Sequence, residues 1–168
     1  KEIYPKILHK KILFYQDKKH RKCAVRILTY IHGNMYAKSK VNIAIEKSLG
    51  ELLALQSKQL DSFMHRQAIR TFEWDPSNIR WVKKYINLFS GLKKIVITEA
   101  INHHEKFVQK NKRNLKYSVT HGDPNDYNIV VKNHKIVGLI DFGDSIYAPS
   151  INDLAIALAY ALMKSQNL

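Results

Sequence analysis

His121-Gly-Asp-Pro-Asn-Asp-Tyr-Asn128, with Gly138-Leu-Ile-Asp-Phe-Gly-Asp144 ten residues further on, decides how this chain is read. Residues 117–120 lead in as a strand, whereas 121–128 are too polar and turn-rich to continue one. Residues 129–131 and 136–140 are β-branched runs separated by Lys132-Asn133-His134-Lys135, a composition that suits a hairpin loop. Such a hairpin brings Asn128, just before its first strand, close to Asp141, just after its second. The expected order is therefore strand, polar loop, hairpin and a second acidic turn.

That arrangement suits phosphoryl transfer, which asks little covalent work of a protein. It needs a carboxylate to orient the acceptor hydroxyl and oxygen ligands to hold Mg²⁺ against the phosphates. Mg²⁺ takes one or two protein carboxylates and fills its octahedron with phosphate and water oxygens. Asp123, Asn128 and Asp141 meet that requirement. The spacing from Asp123 to Asn128 also matches the kinase catalytic loop, and Asp141-Phe142-Gly143 repeats the kinase metal turn. Either fragment alone is ordinary turn composition; the specificity lies in finding both, in order, around an apolar hairpin.

On these two motifs the chain resembles the aminoglycoside phosphotransferase and choline kinase superfamily, most fully its hydroxylysine kinase-like branch. The resemblance implies an α+β, protein-kinase-like fold. It would comprise mostly the helical C-terminal lobe with its catalytic-loop hairpin, plus the last strands of the N-terminal lobe. It also implies Asp123 as catalytic base, Asn128 and Asp141 as Mg²⁺ ligands, and His121 as a residue steadying the loop. The implied co-substrate is ATP or GTP. The implied acceptor is a small hydroxylated amine, hydroxylysine-like or aminoglycoside-like, whose ammonium Asp126 and Asp144 could meet; both could equally support the metal ligands.

Working outward, residues 11–15 and 22–31 read as two strands about a polar turn. Val25-Arg-Ile-Leu-Thr-Tyr-Ile-His-Gly33 resembles the strand that enters the hinge between kinase lobes, making Leu28, Thr29, Tyr30 and Ile31 candidates for the nucleotide base; a plain strand ending at a Gly turn is the simpler reading. The six glycines, at 33, 50, 91, 122, 138 and 143, form no phosphate-cradling cluster. Lys6, Lys10 and Lys11 stand too close to the start to be the phosphate lysine of a complete kinase. The expected division is 1–33, a remnant of the N-terminal lobe and hinge, and 34–168, an incomplete catalytic lobe.

Three helices are expected next. Residues 41–64 carry an apolar stripe of Ile45, Leu49, Leu52, Leu53, Leu60 and Phe63, with His65 at the end. Asp75 and Pro76 form an N-cap and first residue for a second helix, burying Ile79, Val82, Ile86 and Phe89 and closing at Gly91. The third, over 95–109, buries Ile97, Ile101 and Phe107, leaving His103 and His104 as a solvent-facing pair that cannot bind one metal. Ser150-Ile-Asn-Asp153 is a capping box for a last helix over 154–163. The family resemblance gives Asp153 a second structural task, tying down the catalytic-loop backbone.

Composition bounds the alternatives. The 168 residues suffice for one domain with a core, and 45% are hydrophobic. The single cysteine, Cys23, excludes an internal disulfide framework and a Cys-rich zinc site. No apolar run approaches membrane-spanning length and no secretory signal opens the chain, so a cytoplasmic location and no membrane partner are expected. The net charge is +14, yet residues 123–153 hold five Asp against Lys132 and Lys135, leaving +17 elsewhere. The basic residues are scattered, without a dense stripe interleaved with aromatics, so a solvated Lys-rich surface is preferred to a nucleic-acid groove.

The start at Lys1 rather than Met marks an expected fragment, with negligible turnover alone and self-association through an uncovered hinge side. The rival readings are a catalytically incomplete lobe acting as a binding module, and a metallophosphoesterase. The latter would need further His and Asp ligands on both sides, which are not found.

Overall fold

The computed structural model describes residues 4–8 and 12–165 of the chain. The described residues fall into two compact units, the first drawn from 4–49 with 126–141 and the second from 50–125 with 142–165.

In the first unit, β1 (Leu13–Gln16) and β2 (Lys22–Val25) pair antiparallel, with Leu13 opposite Val25 and Gln16 opposite Lys22. Asp17 closes their turn. Its carboxylate accepts from the N–H groups of Lys19 and Arg21 at 2.8 and 2.9 Å and from Arg21 Nε at 2.7 Å. The hydrogen bonds from Arg21 hold the Asp17 carboxyl below its ordinary value.

The expected strand over 22–31 is shorter than the β-branched run suggested. It stops at Val25, and the chain pairs again only at Leu28, in an isolated bridge to Ile7. Lys11, the expected start of the first strand, lies outside the described residues, as does Lys10.

Further along, β3 (Asn34–Met35) pairs with β5 (Ile129–Lys132), which pairs with β6 (Lys135–Leu139). The β5–β6 loop is Asn133-His134, both with positive φ, of 51° and 57°. Two left-handed central residues are what a tight hairpin with the native strand twist requires, and Asn tolerates that conformation well. Before β3, Gly33 packs so tightly that a Cβ would lie 2.6 Å from a Val130 methyl and from the Val131 carbonyl oxygen.

Asn42 opens α1 (Ile43–Leu60), its Oδ1 accepting from Ile45 N–H at 3.0 Å, and Ser48 Oγ accepts from Ile136 N–H at 3.0 Å. The core of this unit holds Tyr36, Ile45, Leu49, Ile129, Val130, Val131, Ile136 and Leu139, all buried.

The second unit takes the rest of α1, where Leu52, Leu53 and Gln56 are buried. The apolar stripe ends sooner than expected: Leu60 is half-buried and Phe63 exposed, because the helix stops at Leu60. His65 is therefore not at the end of α1. It precedes a short turn (Arg66–Ala68), its Nδ1 accepting from Gln67 N–H at 3.3 Å.

Asp75 and Pro76 do begin a helical segment, 3₁₀ in type (Pro76–Leu88) and interrupted at Asn78. Asp75 Oδ1 accepts from Ser77 N–H at 2.9 Å, as a cap should. Gly91 does not close this segment; with φ 54° it is the first residue of α2 (Gly91–His104), which continues as a wider turn over Glu105–Gln109.

Along these helical segments Ile101 is buried and Ile79, Val82, Ile86 and Ile97 are half-buried, but Phe89 and Phe107 are exposed. The two adjacent histidines differ. His103 is exposed against the Phe107 ring at 4.3 Å, whereas His104 is half-buried with both ring nitrogens out of water.

The unit is completed by β4 (Tyr117–Thr120), paired antiparallel with β7 (Ile146–Pro149), and by α3 (Ile151–Lys164). The expected capping box at the head of α3 does not form. Ser150 makes no side-chain cap bond, and its hydroxyl lies 2.8 Å from that of Ser118. Asp153 is engaged elsewhere, as the site shows.

Candidate active site

Asp153 is where the second unit organises the loop after β4. Oδ2 accepts from His121 N–H at 2.8 Å and from Gln56 Nε2 at 2.6 Å, and Oδ1 accepts from Gly122 N–H at 3.0 Å. These backbone groups lie just past the end of β4, and the buried Asp153 carboxylate accepts from both. Burial pushes the Asp153 carboxyl above its ordinary value, while the His121 and Gly122 N–H groups pull it back.

His121 is fully buried, its ring 4.5 Å from that of Phe142. Its Nδ1 accepts from Asp123 N–H at 3.2 Å, which places the proton of a neutral ring on Nε2. Gly122 has φ 88°, and a Cβ there would collide with the carbonyl oxygen of Asp144. The loop backbone and the acidic turn of residues 142–145 thus touch where no side chain fits.

Asp123 follows directly. Asn125 Nδ2 donates to Asp123 Oδ2 at 2.7 Å, which fixes the carboxylate's rotation. Asp123 and Asp144 line one cavity of about 390 Å³, whose other walls are Trp74, Gly122, Asn125, Ile156, Ala159 and Tyr160. Two acidic and two aromatic residues line the same space.

In the first unit, the base of the β5–β6 hairpin brings two further candidates together. Ile140 N–H donates to the Asn128 carbonyl at 3.0 Å, so Asn128 stands beside the segment that carries Asp141. Asp141 has φ 63°, a left-handed conformation uncommon outside glycine that turns the chain sharply after β6. Asp126 belongs to this unit too, its carbonyl accepting from Ala37 N–H at 2.8 Å, and it is not among the residues lining the cavity with Asp123. Among the described residues no group of three or more His, Cys, Asp or Glu could hold a metal ion. A Mg²⁺ site of one carboxylate and one amide oxygen needs no such cluster.

Of the hinge candidates, Leu28 bridges to Ile7, Thr29 exchanges hydrogen bonds with Lys6, Tyr30 is exposed and Ile31 half-buried. The Thr29 N–H is thereby given to the Lys6 carbonyl at 2.8 Å.

Sequence reading passed over Gln56, Asn125, Trp74 and Tyr160. Gln56 carried a signal, since it occupies a core position on the apolar face with Leu49, Leu52 and Leu53. A polar residue at such a position has a buried partner. Asn125 stands within the His121–Asn128 motif, two residues from Asp123, while Trp74, in a Trp-Asp pair that faintly resembles the family, and Tyr160 reach the cavity only through the fold.

A family model described as "Phosphotransferase enzyme family" (APH) matches residues 5–167. The chain is similar to hydroxylysine kinase of Xenopus laevis, 30% identical over 164 residues, covering 88% of this chain and 44% of that protein. Hydroxylysine kinase of Mus musculus is 27% identical over 157 residues, 85% and 42% of the two chains. The chain thus spans less than half the length of these curated relatives. Amicoumacin kinase hAmiN, solved with AMP-PNP, Ca²⁺ and Ami, superposes with a TM-score of 0.60 over 92% of this chain and 45% of that one, at 17% identity. That likeness is one of fold, and the fold is α+β and kinase-like.

Proposed function

Since the chain belongs to the phosphotransferase enzyme family, we propose that it carries catalytic machinery of a small-molecule kinase. The reaction moves the γ-phosphoryl group of ATP or GTP onto a hydroxyl of an amino-bearing alcohol, hydroxylysine-like or aminoglycoside-like. The observation that carries this reading is the cavity on which Asp123 opens, with its carboxylate held by Asn125 and Asp144 on the same wall.

Asp123 is the base. Its carboxylate takes the proton of the acceptor hydroxyl as that oxygen bonds to the γ-phosphorus and the bond to the β–γ bridging oxygen breaks, leaving a nucleoside diphosphate. Asn125 sets the carboxylate's orientation, and His121 and Asp153 hold the loop backbone that carries it. Asn128 and Asp141 would hold Mg²⁺, which supplies charge neutralisation on the phosphate oxygens when bound. Their fit rests on the hard-oxygen chemistry of the two side chains and on the hairpin, whose Ile140 N–H to Asn128 carbonyl bond sets the two segments that carry them side by side. The amine preference rests on Asp144 together with Trp74 and Tyr160, since a carboxylate beside aromatic faces suits an ammonium group. Residues 28–31 are offered as the hinge contact of the nucleotide base.

The test is in two parts. Nucleotide should raise the melting temperature of the protein with Mg²⁺ and not with EDTA. In the chain joined to an N-terminal kinase lobe, since the 168 residues alone are expected to turn over negligibly, labelled γ-phosphate should then appear on hydroxylated amines but not on their deoxy analogues. A Mg²⁺-dependent shift without transfer to any acceptor would favour a binding module over a kinase.

A further inference from the structure

We propose that Arg70 is a positioning residue for phosphoryl transfer: its guanidinium clamps the turn of residues 142–145 and so fixes Asp144 in the cavity beside Asp123. The proposal rests on the kinase reading above.

Two carbonyl groups of that turn face one donor. Arg70 Nη2 donates to the Gly143 oxygen at 3.1 Å and to the Ser145 oxygen at 3.3 Å. Within the turn, Ser145 N–H donates to the Phe142 oxygen at 3.3 Å and Ser145 Oγ to the His121 oxygen at 3.5 Å. Arg70 itself is pre-set. Its guanidinium lies 4.9 Å from the centre of the Phe72 ring, and its N–H donates to the Ala68 oxygen at 3.1 Å. A planar cation stacked on a ring and aimed at two carbonyls is a task lysine cannot reproduce.

What the clamp holds is functional surface. The turn carries Phe142, against the buried His121 ring, and Asp144, whose carbonyl meets Gly122 and which lines the cavity with Asp123. Loss of the clamp frees the turn to move by fractions of an ångström, and misplacement on that scale lowers rate without touching the reacting groups. Because Arg70 is solvent-exposed, the effect should be moderate.

The experiment compares the wild-type protein with Arg70→Ala, Arg70→Lys and Arg70→Gln, each joined to the same N-terminal kinase lobe. The expected result is that Arg70→Ala lowers kcat/KM for the acceptor about tenfold, with the nucleotide KM and the melting temperature nearly unchanged. Amide exchange should quicken within residues 142–146 and not elsewhere. Millimolar guanidinium should restore part of the lost rate, ammonium should not, and Arg70→Lys should resemble the alanine variant.

The clamp is overturned if acceptor and nucleotide constants fall together with the melting temperature, or if exchange at 142–146 stays as in wild type. Arg70→Gln, which keeps a shorter donor, serves if the alanine variant does not fold, and is expected to show the same exchange and acceptor effects in weaker form. A wild-type protein that transfers no phosphate would refute the kinase reading. Catalytic positioning would fall with it, and the exchange data alone would then decide whether the clamp exists.

Discussion

At the scale of single residues, Asp123 and Asp153 do opposite things with the same functional group. Asp123 is half-buried at a cavity; Asp153 is buried and spends its oxygens on two backbone N–H groups and Gln56. Asp123→Asn should leave the fold and nucleotide binding intact, because the change is isosteric, while kcat falls by about two orders of magnitude or more. Steady-state kinetics beside a nucleotide thermal shift check it; retention of more than about a tenth of wild-type kcat would remove Asp123 from the role of base.

Asp153→Ala should act on stability instead. It strands three buried donors at about 1–3 kcal/mol each, so a loss of at least about 3 kcal/mol is expected in denaturant unfolding. Against a total of roughly 5–15 kcal/mol for a domain, that is severe. Ser150→Ala, by contrast, should cost about 1 kcal/mol or less, since Ser150 caps nothing and loses only its bond to Ser118. Equal effects of the two substitutions would mean that the capping box matters after all.

At the scale of elements, the end of α2 carries a pH response. Burial lowers the pKa of His104 from its ordinary value of 6.5, opposed by the Pro76 carbonyl, Glu105 and Asp75 and assisted by Lys112. Its folded pKa therefore lies below its unfolded one, so between the two the unfolded chain binds more protons. The stability that comes from keeping His104 neutral is fully present above about pH 6.5 and is lost as the pH falls through the folded value. Melting temperatures of wild type should drop on acidification from pH 7 into that window, and His104→Leu should flatten the drop. An unchanged slope in the variant would place the acid sensitivity at another group.

At the scale of the whole molecule, the first unit shows apolar side chains to solvent along one short sheet and its continuation. Phe14, Tyr15, Ile27 and Leu28 are 59, 56, 51 and 47% exposed. Exposed apolar side chains gathered on one small sheet favour association. These 168 residues, purified alone, should associate in a concentration-dependent manner, and Phe14→Lys with Ile27→Lys should shift light-scattering masses toward the monomer. A monomer at every soluble concentration would sink that expectation. No helix among the described residues is long and apolar enough to cross a membrane.

The sequence by itself determined the pieces whose conformation is decided within a few residues. The β5–β6 hairpin followed from β-branched runs about Asn133-His134, the helical start at Pro76 from the Asp-Pro pair, and the proximity of Asn128 to Asp141 from the length of the hairpin. In each case the contacts that set the turn or the helix start lie nearby in the chain, so local chemistry suffices even though β5 also pairs with the distant β3. Tertiary structure alone decided the rest. Ser150 and Asp153 have capping-box spacing, but the N–H groups of His121 and Gly122, some thirty residues earlier, claim the carboxylate. Gly91 reads as a stop and is a start, and Phe63 and Phe107 carry the right period yet face water because their helices end or widen before them. Periodicity says which side chains could be buried together; which ones are buried depends on what the fold brings opposite, and a buried polar group must be answered by whatever donor or acceptor the fold leaves there.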